Sequence, residues 1–263
     1  MLRILLQLFA QHDKASLLNS PPISIEAVLA SADLLLPDFQ SAVEAIPQEQ
    51  RGRGIFLSEM FLFYCAVRPL NPRQILESGR AQGGSTLALA HCFPEVRIVS
   101  VELDVDSPNN GIALAGLAPH RNVECLFGDS RDILPRRLEY GDAVLIDGPK
   151  DFRALKLALN LLRTGKPSVV FLHDCPAGSR WRKFIDDHWP NAFFSDHPEF
   201  LRRFSYLDDF GIAPRDWRRP RPTTFACLPP VLPESYRVLL AKLVLARAIW
   251  LAPDKIARLL RRS

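Results

Sequence analysis

The chain has 263 residues, 48% of them hydrophobic and 24% charged, with 33 Lys+Arg against 29 Asp+Glu. That is ordinary globular usage, which excludes a disordered, collagen-like or low-complexity protein. A formal net charge of +4 is too small to argue for nucleic acid by itself, and the length allows one large α/β domain with additions or two small domains.

Cys65, Cys92, Cys125, Cys175 and Cys227 are odd in number, widely spaced and without a C-x-x-C pair. Reduced thiols in a cytoplasmic protein fit this better than a disulfide framework or a structural zinc. Met1 to Ala10 has a short apolar run, but Gln11-His12-Asp13-Lys14 follows with no small-residue cleavage site, unlike a signal peptide. No uncharged run reaches the roughly 18 residues of a membrane-spanning helix.

Residues 1 to about 70 read as short helices split by Pro21-Pro22, Pro37 and Pro47, a helical cap. The last helix is expected from near Ser58 to Arg68, with Ser58 as N-cap and Glu59 in its first turn. From about 73 to 175, β-rich runs alternate with helix-like stretches. The runs are 74–77, 97–101, 123–127, 143–146 and 169–172. Their continuous apolar character predicts strands buried on both faces. A helix between the last two is capped by Asp151 and carries Phe152, Leu155, Leu159 and Leu162 on one face; Gly165 and Pro167 end it. Repetition of strand and helix predicts a doubly wound, mostly parallel α/β sheet. Further on, 181–189 reads as a helix, 214–222 as a loop, 223–228 as a late strand, and everything from 231 as helix. The expected organisation is therefore a helical cap at 1–70, a core domain at 71–230 and a basic, apolar C-terminal helix at 231–263.

Ligands in open α/β sheets bind beyond the carboxyl ends of the strands. All five strand ends carry carboxylates: Glu77, Glu102, Asp129, Asp147 and Asp174. The first is followed by Ser78-Gly79-Arg80-Ala81-Gln82-Gly83-Gly84-Ser85-Thr86, a glycine-rich turn opening a helix. It lacks the Gly-Lys-Ser/Thr of an NTP-binding loop, and Ala81 stands where G-x-G-x-x-G needs its second glycine. Glu102 follows Glu77 by 25 residues, which suits a carboxylate gripping the two hydroxyls of a ribose. Any of these acids can instead cap a helix, Asp129 and Asp151 above all.

Ile75-Leu76-Glu77-Ser78-Gly79 through Gly83-Gly84-Ser85-Thr86 resembles the first motif of class I S-adenosylmethionine-dependent methyltransferases, in the form common among small-molecule O-methyltransferases. Val101-Glu102, Gly128-Asp129-Ser130, Ile146-Asp147-Gly148 and Phe171-Leu172-His173-Asp174 follow in the family's order. The resemblance covers about 73–175 and implies a seven-stranded Rossmann-like sheet. It implies that Gly79 and Gly83 pass by the methionine part of S-adenosylmethionine, with Glu77 near its amino group, and that Ser85 is a cofactor-binding residue. Glu102 would hold the ribose, Asp129 and Ser130 face the adenine, and Asp147 lie beside the sulfonium.

Deprotonation of the acceptor has two candidate routes. In one, His173 is the general base. In the other, Asp147 and Asp174 share a divalent metal such as magnesium, with Lys150 assisting. The second is similar to catechol-type enzymes, although Cys175 stands where those usually have asparagine, and a thiol is a poor magnesium ligand. A structural His173-Asp174 pair is the third reading.

Four arginines and one aspartate in 214–222 mark either a solvated loop or a lid over an anionic acceptor. The tail from 231 holds seven basic and two acidic residues, so its net charge is +5 and that of the first 230 residues is −1. Arg237, Lys242 and Arg247, five residues apart, distribute around a helix. Such a helix packs on the domain, on a second copy in a homodimer, or on a membrane surface as a peripheral contact. The expected activity is methyl transfer to an oxygen of a small-molecule, sugar or lipid-linked acceptor; RNA is disfavoured because aromatics are not interleaved along a basic stripe. An NAD(P)-dependent oxidoreductase and a non-catalytic scaffold are the alternatives.

Overall fold

The computed structural model describes residues 23–47, 54–209 and 224–260, with side chains through residue 250. The N-terminal apolar run and the arginine loop at 214–222 lie outside these residues. The strands are β1 (Gln74–Ser78), β2 (Arg97–Glu102), β3 (Val123–Phe127), β4 (Ala143–Ile146), β5 (Val169–Leu172), β6 (Phe193–Phe194) and β7 (Ala226–Leu228). The helices are α1 (Ile25–Glu44), α2 (Leu57–Val67), α3 (Gly84–Cys92), α4 (Asn109–Leu117), α5 (Ser130–Arg137), α6 (Asp151–Leu162), α7 (Arg180–His188), α8 (Pro198–Phe204) and α9 (Tyr236–Leu260).

One seven-stranded sheet forms in the order β3-β2-β1-β4-β5-β7-β6. The first five strands are mutually parallel; β7 runs antiparallel to β5 and β6 antiparallel to β7. The doubly wound, mostly parallel sheet implied by the sequence is present. Alternation along each strand divides the core into two layers. Ile75, Leu145 and Phe171 join α1, α2, α3 and α8 on one side; Leu76, Val144 and Leu172 join α5, α6, α7 and α9 on the other. Only β3 departs from expected burial, because it is an edge strand with one neighbour and is half-exposed.

Pro37 does not split the N-terminal segment. It sits inside the 20-residue α1, despite the missing amide donor. Ile25, Val28, Ala32, Phe39 and Val43 form a continuous buried face, so tertiary packing outweighs the local defect. Nor do the N-terminal helices stand apart as a cap. All 11 residues of α2 are buried, and the Phe63 ring lies 4.8 Å from that of Phe171 in β5.

The start of α2 corrects another expectation. Phe56 occupies the N-cap and has no side-chain acceptor, while Ser58 is already helical. Glu59 Oε2 therefore accepts from the Phe56 amide at 2.9 Å, and Asp208 accepts from both the amide and the hydroxyl of Ser58, each at 2.8 Å. A carboxylate 150 residues away completes this helix end. In α6, Asp151 is the first helical residue, at φ 58°, rather than the N-cap, yet its Oδ1 still accepts from the Arg153 amide at 3.2 Å. Gly165, at φ 65°, ends this helix as expected, donating to Leu162 O at 2.9 Å.

Phe61 is fully buried, with ring centroids of Phe39, Phe204 and Phe200 at 4.9, 5.0 and 6.1 Å. Phe61→Ala is expected to lower unfolding free energy by about 3–5 kcal/mol in equilibrium urea denaturation. A loss below about 1 kcal/mol would mean that the N-terminal helices do not share the sheet's core.

Candidate active site at the strand ends

A cleft of ≈ 270 Å³ opens at the carboxyl ends of β1, β2 and β4. It is bounded by Gly79, Glu102, Leu103, Asp129, Ser130 and Gly148, among others. Its floor exists because two backbones nearly touch. The amides of Asp147 and Gly148 donate to Ser78 O at 2.8 and 3.0 Å. A Cβ on Gly79 would lie 2.8 Å from Gly148 N, and Gly79 has φ 89°, so this position needs glycine for both space and conformation.

Glu102 is held ready at the rim. Its Oε2 accepts from the Ala81 amide at 2.9 Å and its Oε1 from the Leu103 amide at 2.8 Å. Ala81 takes φ 46° to present that amide, so the departure from the glycine pattern is a left-handed residue serving Glu102. Asp129 combines a helix cap with a place at the cleft. It caps α5, accepting from the Arg131 amide at 2.8 Å, and lines the cleft. Hydrogen bonds from Arg131 hold its carboxyl below the usual range. Ser130 Oγ donates to Gly148 O at 3.2 Å and ties this rim to the β4 loop.

Three residues from the first motif do not line the cleft. Glu77 is fully buried; Ser85 Oγ and Ser100 Oγ donate to it at 2.5 and 2.6 Å, and Thr86 donates as well. Burial pushes its carboxyl up, against the pull of these hydroxyls. Glu77 thus anchors α3 to β1 and β2, where the resemblance implied contact with an ammonium, and Ser85 belongs to that anchor. Gly83 precedes α3 at φ 85°, and a Cβ there would meet Ala113 Cα at 3.3 Å, so it lets α4 pack.

Beside the cleft, the ends of β4 and β5 and the start of α6 bring four charged groups together. Lys150 Nζ lies 2.5 Å from both Asp147 Oδ1 and Asp174 Oδ2. His173 Nδ1 lies 2.5 Å from Asp147 Oδ1, and its Nε2 lies 3.5 Å from Glu59 Oε2 at the start of α2. The Phe225 ring meets the imidazole edge-on, with centroids 5.4 Å apart. Burial alone would lower the His173 pKa, but the hydrogen bond with Asp147 and the nearby Glu59 and Asp147 charges outweigh it and raise it to about 10. Burial likewise works against the charged forms of Asp147 and Lys150. The His173 and Lys150 cations still hold Asp147 below the usual range, and Asp147 with Asp174 holds Lys150 above it.

His173 is 4% exposed, and the carboxylates facing its two ring nitrogens favour its protonated form, which works against the expected role as general base. Asp147, His173 and Asp174 offer three ligand atoms within 4.8 Å of one another. A divalent cation there would need a neutral imidazole and a displaced Lys150 ammonium, so the two carboxylates form the donor set that fits it. Cys175 is no part of it: the thiol is buried, burial pushes its pKa far up, and Sγ points to His173 O at 3.9 Å. Glu59 was legible only as a first-turn acid; its reach to His173 depends on how α2 packs. His12 lies outside the described residues. His91 and His120 pair edge-on, and His188 meets Phe184 edge-on as well, all as ordinary packing.

No family model matches the sequence. The chain is similar to catechol O-methyltransferase B of Danio rerio, 29% identical over 154 residues, covering 52% of this chain and 56% of that protein. It therefore spans about half the length of the curated relative it matches. Among solved structures it is similar to the O-methyltransferase TomG from Streptomyces achromogenes, involved in tomaymycin synthesis and solved with SAM, at 21% identity and TM-score 0.43 over 79% of this chain and 96% of that one. An O-methyltransferase from Bacillus cereus, solved with SAH, gives 19% identity and TM-score 0.42 over 79% and 98%.

His173 has a folded pKa raised from 6.5 to about 10, so its stabilising contribution is complete below pH 6.5 and is lost as pH rises through about 10. The urea midpoint should fall between pH 6.5 and 10, and His173→Asn should flatten that fall. Equal slopes in the two proteins would show that His173 is not held charged.

Proposed function

We propose that the chain is a methyltransferase that binds S-adenosylmethionine at the strand-end cleft and passes its methyl group to an oxygen of a small-molecule acceptor. The observation that carries this reading is the preset Glu102 carboxylate beside the Gly79–Gly148 floor, with Asp147 and Lys150 next to it. Glu102 suits the two ribose hydroxyls, and Asp129 with Ser130 suits the adenine side. S-adenosylmethionine carries a sulfonium and an ammonium but no phosphate, and an acidic rim favours such a ligand. The curated relative named as a catechol O-methyltransferase, similar over half its length, supports the same reading.

In this reading the acceptor hydroxyl enters between Lys150 and Asp174. The Lys150 ammonium donates to the acceptor oxygen and stabilises the negative charge that develops there. The hydroxyl proton passes to Asp174, whose side chain is 31% exposed, against 17% for Asp147. The oxygen attacks the methyl carbon, the carbon–sulfur bond breaks, and the sulfonium becomes a neutral thioether. In-line placement supplies part of the rate, roughly 7–11 kcal/mol in well-oriented systems. His173 and Glu59 hold Asp147 in position. A divalent cation bound by Asp147 and Asp174 would supply Lewis acidity to the acceptor oxygen.

Calorimetry should show binding of S-adenosylmethionine and none of NAD. Glu102→Ala should weaken that binding about tenfold or more, the worth of one charged hydrogen bond. NAD binding without S-adenosylmethionine binding would overturn the proposal, and binding of neither would favour a scaffold. With an acceptor in hand, Lys150→Met should lower kcat about 10²–10³-fold while leaving cofactor affinity unchanged; an unchanged kcat would remove Lys150 from the mechanism.

A further inference from the structure

The C-terminal helix shows three kinds of surface. Its inner side is core: Leu239 and Leu243 are buried, and Tyr236 donates to Asn160 Oδ1 of α6 at 2.7 Å. Lys242 turns to the side and pairs with Glu234 at 2.5 Å. The outer side carries Val238, Val244, Leu245 and Ile249, which are 44%, 58%, 61% and 60% exposed. Ala241 and Ala248 lie between them; Arg237, seven residues before Val244, lies on the same side, and Arg247 is exposed at one edge. No acidic residue occurs from Ser235 to Pro253. The charges read from the sequence thus resolve into an apolar outer face that carries one arginine and has another at its edge.

We infer that this outer face of α9 docks on an anionic lipid surface. Charge complementarity carries the choice of partner. The tail from 231 is +5 while the other 230 residues sum to −1. Beside the exposed apolar residues, Arg237 and Arg247 are exposed with no acid between Ser235 and Pro253 to offset them. Exposed apolar side chains with arginines among and beside them match the boundary between headgroups and acyl chains. A second copy is disfavoured, because a two-fold contact through this face brings like charges together. No described helix is long and apolar enough to cross a membrane, so the contact is peripheral.

The helix also points the right way. It starts beside Asn160, at the end of α6 remote from the cleft. Trp250 O accepts from Arg180 at 2.9 Å at the start of α7, which follows the β5 strand end. The helix continues to Leu260, about 15 Å further at 1.5 Å per residue. It therefore runs along the domain toward the end where the cleft opens.

The test is flotation of the full chain with vesicles of phosphatidylcholine alone and of phosphatidylcholine with an equal part of phosphatidylglycerol. Binding is expected only to the mixed vesicles and should weaken with added salt. Arg237→Gln with Arg247→Gln should reduce it about tenfold or more. Val238→Asp with Leu245→Asp should abolish it; both positions are exposed, and an unchanged circular dichroism spectrum confirms the fold. Absence of binding to mixed vesicles, equal binding to neutral ones, or unchanged binding by both variants overturns the inference. A lipid-free dimer in sedimentation equilibrium that Leu245→Asp dissociates assigns the face to a second copy and overturns it as well. None of these readouts depends on cofactor or acceptor, so the inference fails or stands apart from the methyltransferase reading.

Discussion

One buried imidazole joins the parts of the chain on which the site depends. His173 ends β5, Asp147 ends β4, and Glu59 starts α2, more than a hundred residues earlier in sequence. The ring nitrogens face Asp147 Oδ1 at 2.5 Å and Glu59 Oε2 at 3.5 Å. A buried carboxylate is costly unless a cation or several donors meet it, and a buried histidine between two carboxylates keeps its proton. The charges therefore fix one another's positions. Lys150 closes the group on its solvent side by bridging Asp147 and Asp174. Once α2 is packed, this arrangement leaves Asp147 little freedom, and its placement sets what can happen at the cleft.

The β-sheet was largely legible because its signal is local. Each parallel strand is a short apolar run that ends in a carboxylate, and all five fall within a residue of their expected bounds. The β6 strand was not legible: two phenylalanines carry no period, and their pairing with Cys227 and Ala226 comes from the end of the domain. The N-terminal region misled for a related reason. Proline marks a break when only neighbours are considered, yet Pro37 lies within a helix whose buried face reaches from Ile25 to Val43.

The same division holds within the site. Glu102 and Asp129 stand where strand ends put them, and both line the cleft. Glu77 also ends a strand, but Ser85, Thr86 and Ser100 enclose it, and the Ser100 contact needs the β1–β2 register to be known. His173 was visible as a strand-end residue beside Asp147. Its second carboxylate was not, because Glu59 looks like any acid in a first helical turn, and that neighbour favours the protonated form of a candidate base. The mildly basic composition divides along the chain: the first 230 residues sum to −1 and the tail from 231 carries +5.

The central claim is that the strand-end cleft receives S-adenosylmethionine, and a crystal structure with S-adenosylhomocysteine tests it most directly. The ribose hydroxyls should lie within hydrogen-bond distance of Glu102, the adenine beside Asp129 and Ser130, and the sulfur toward Asp147. Ligand density away from Glu102, or an empty cleft at saturating ligand, would contradict the account.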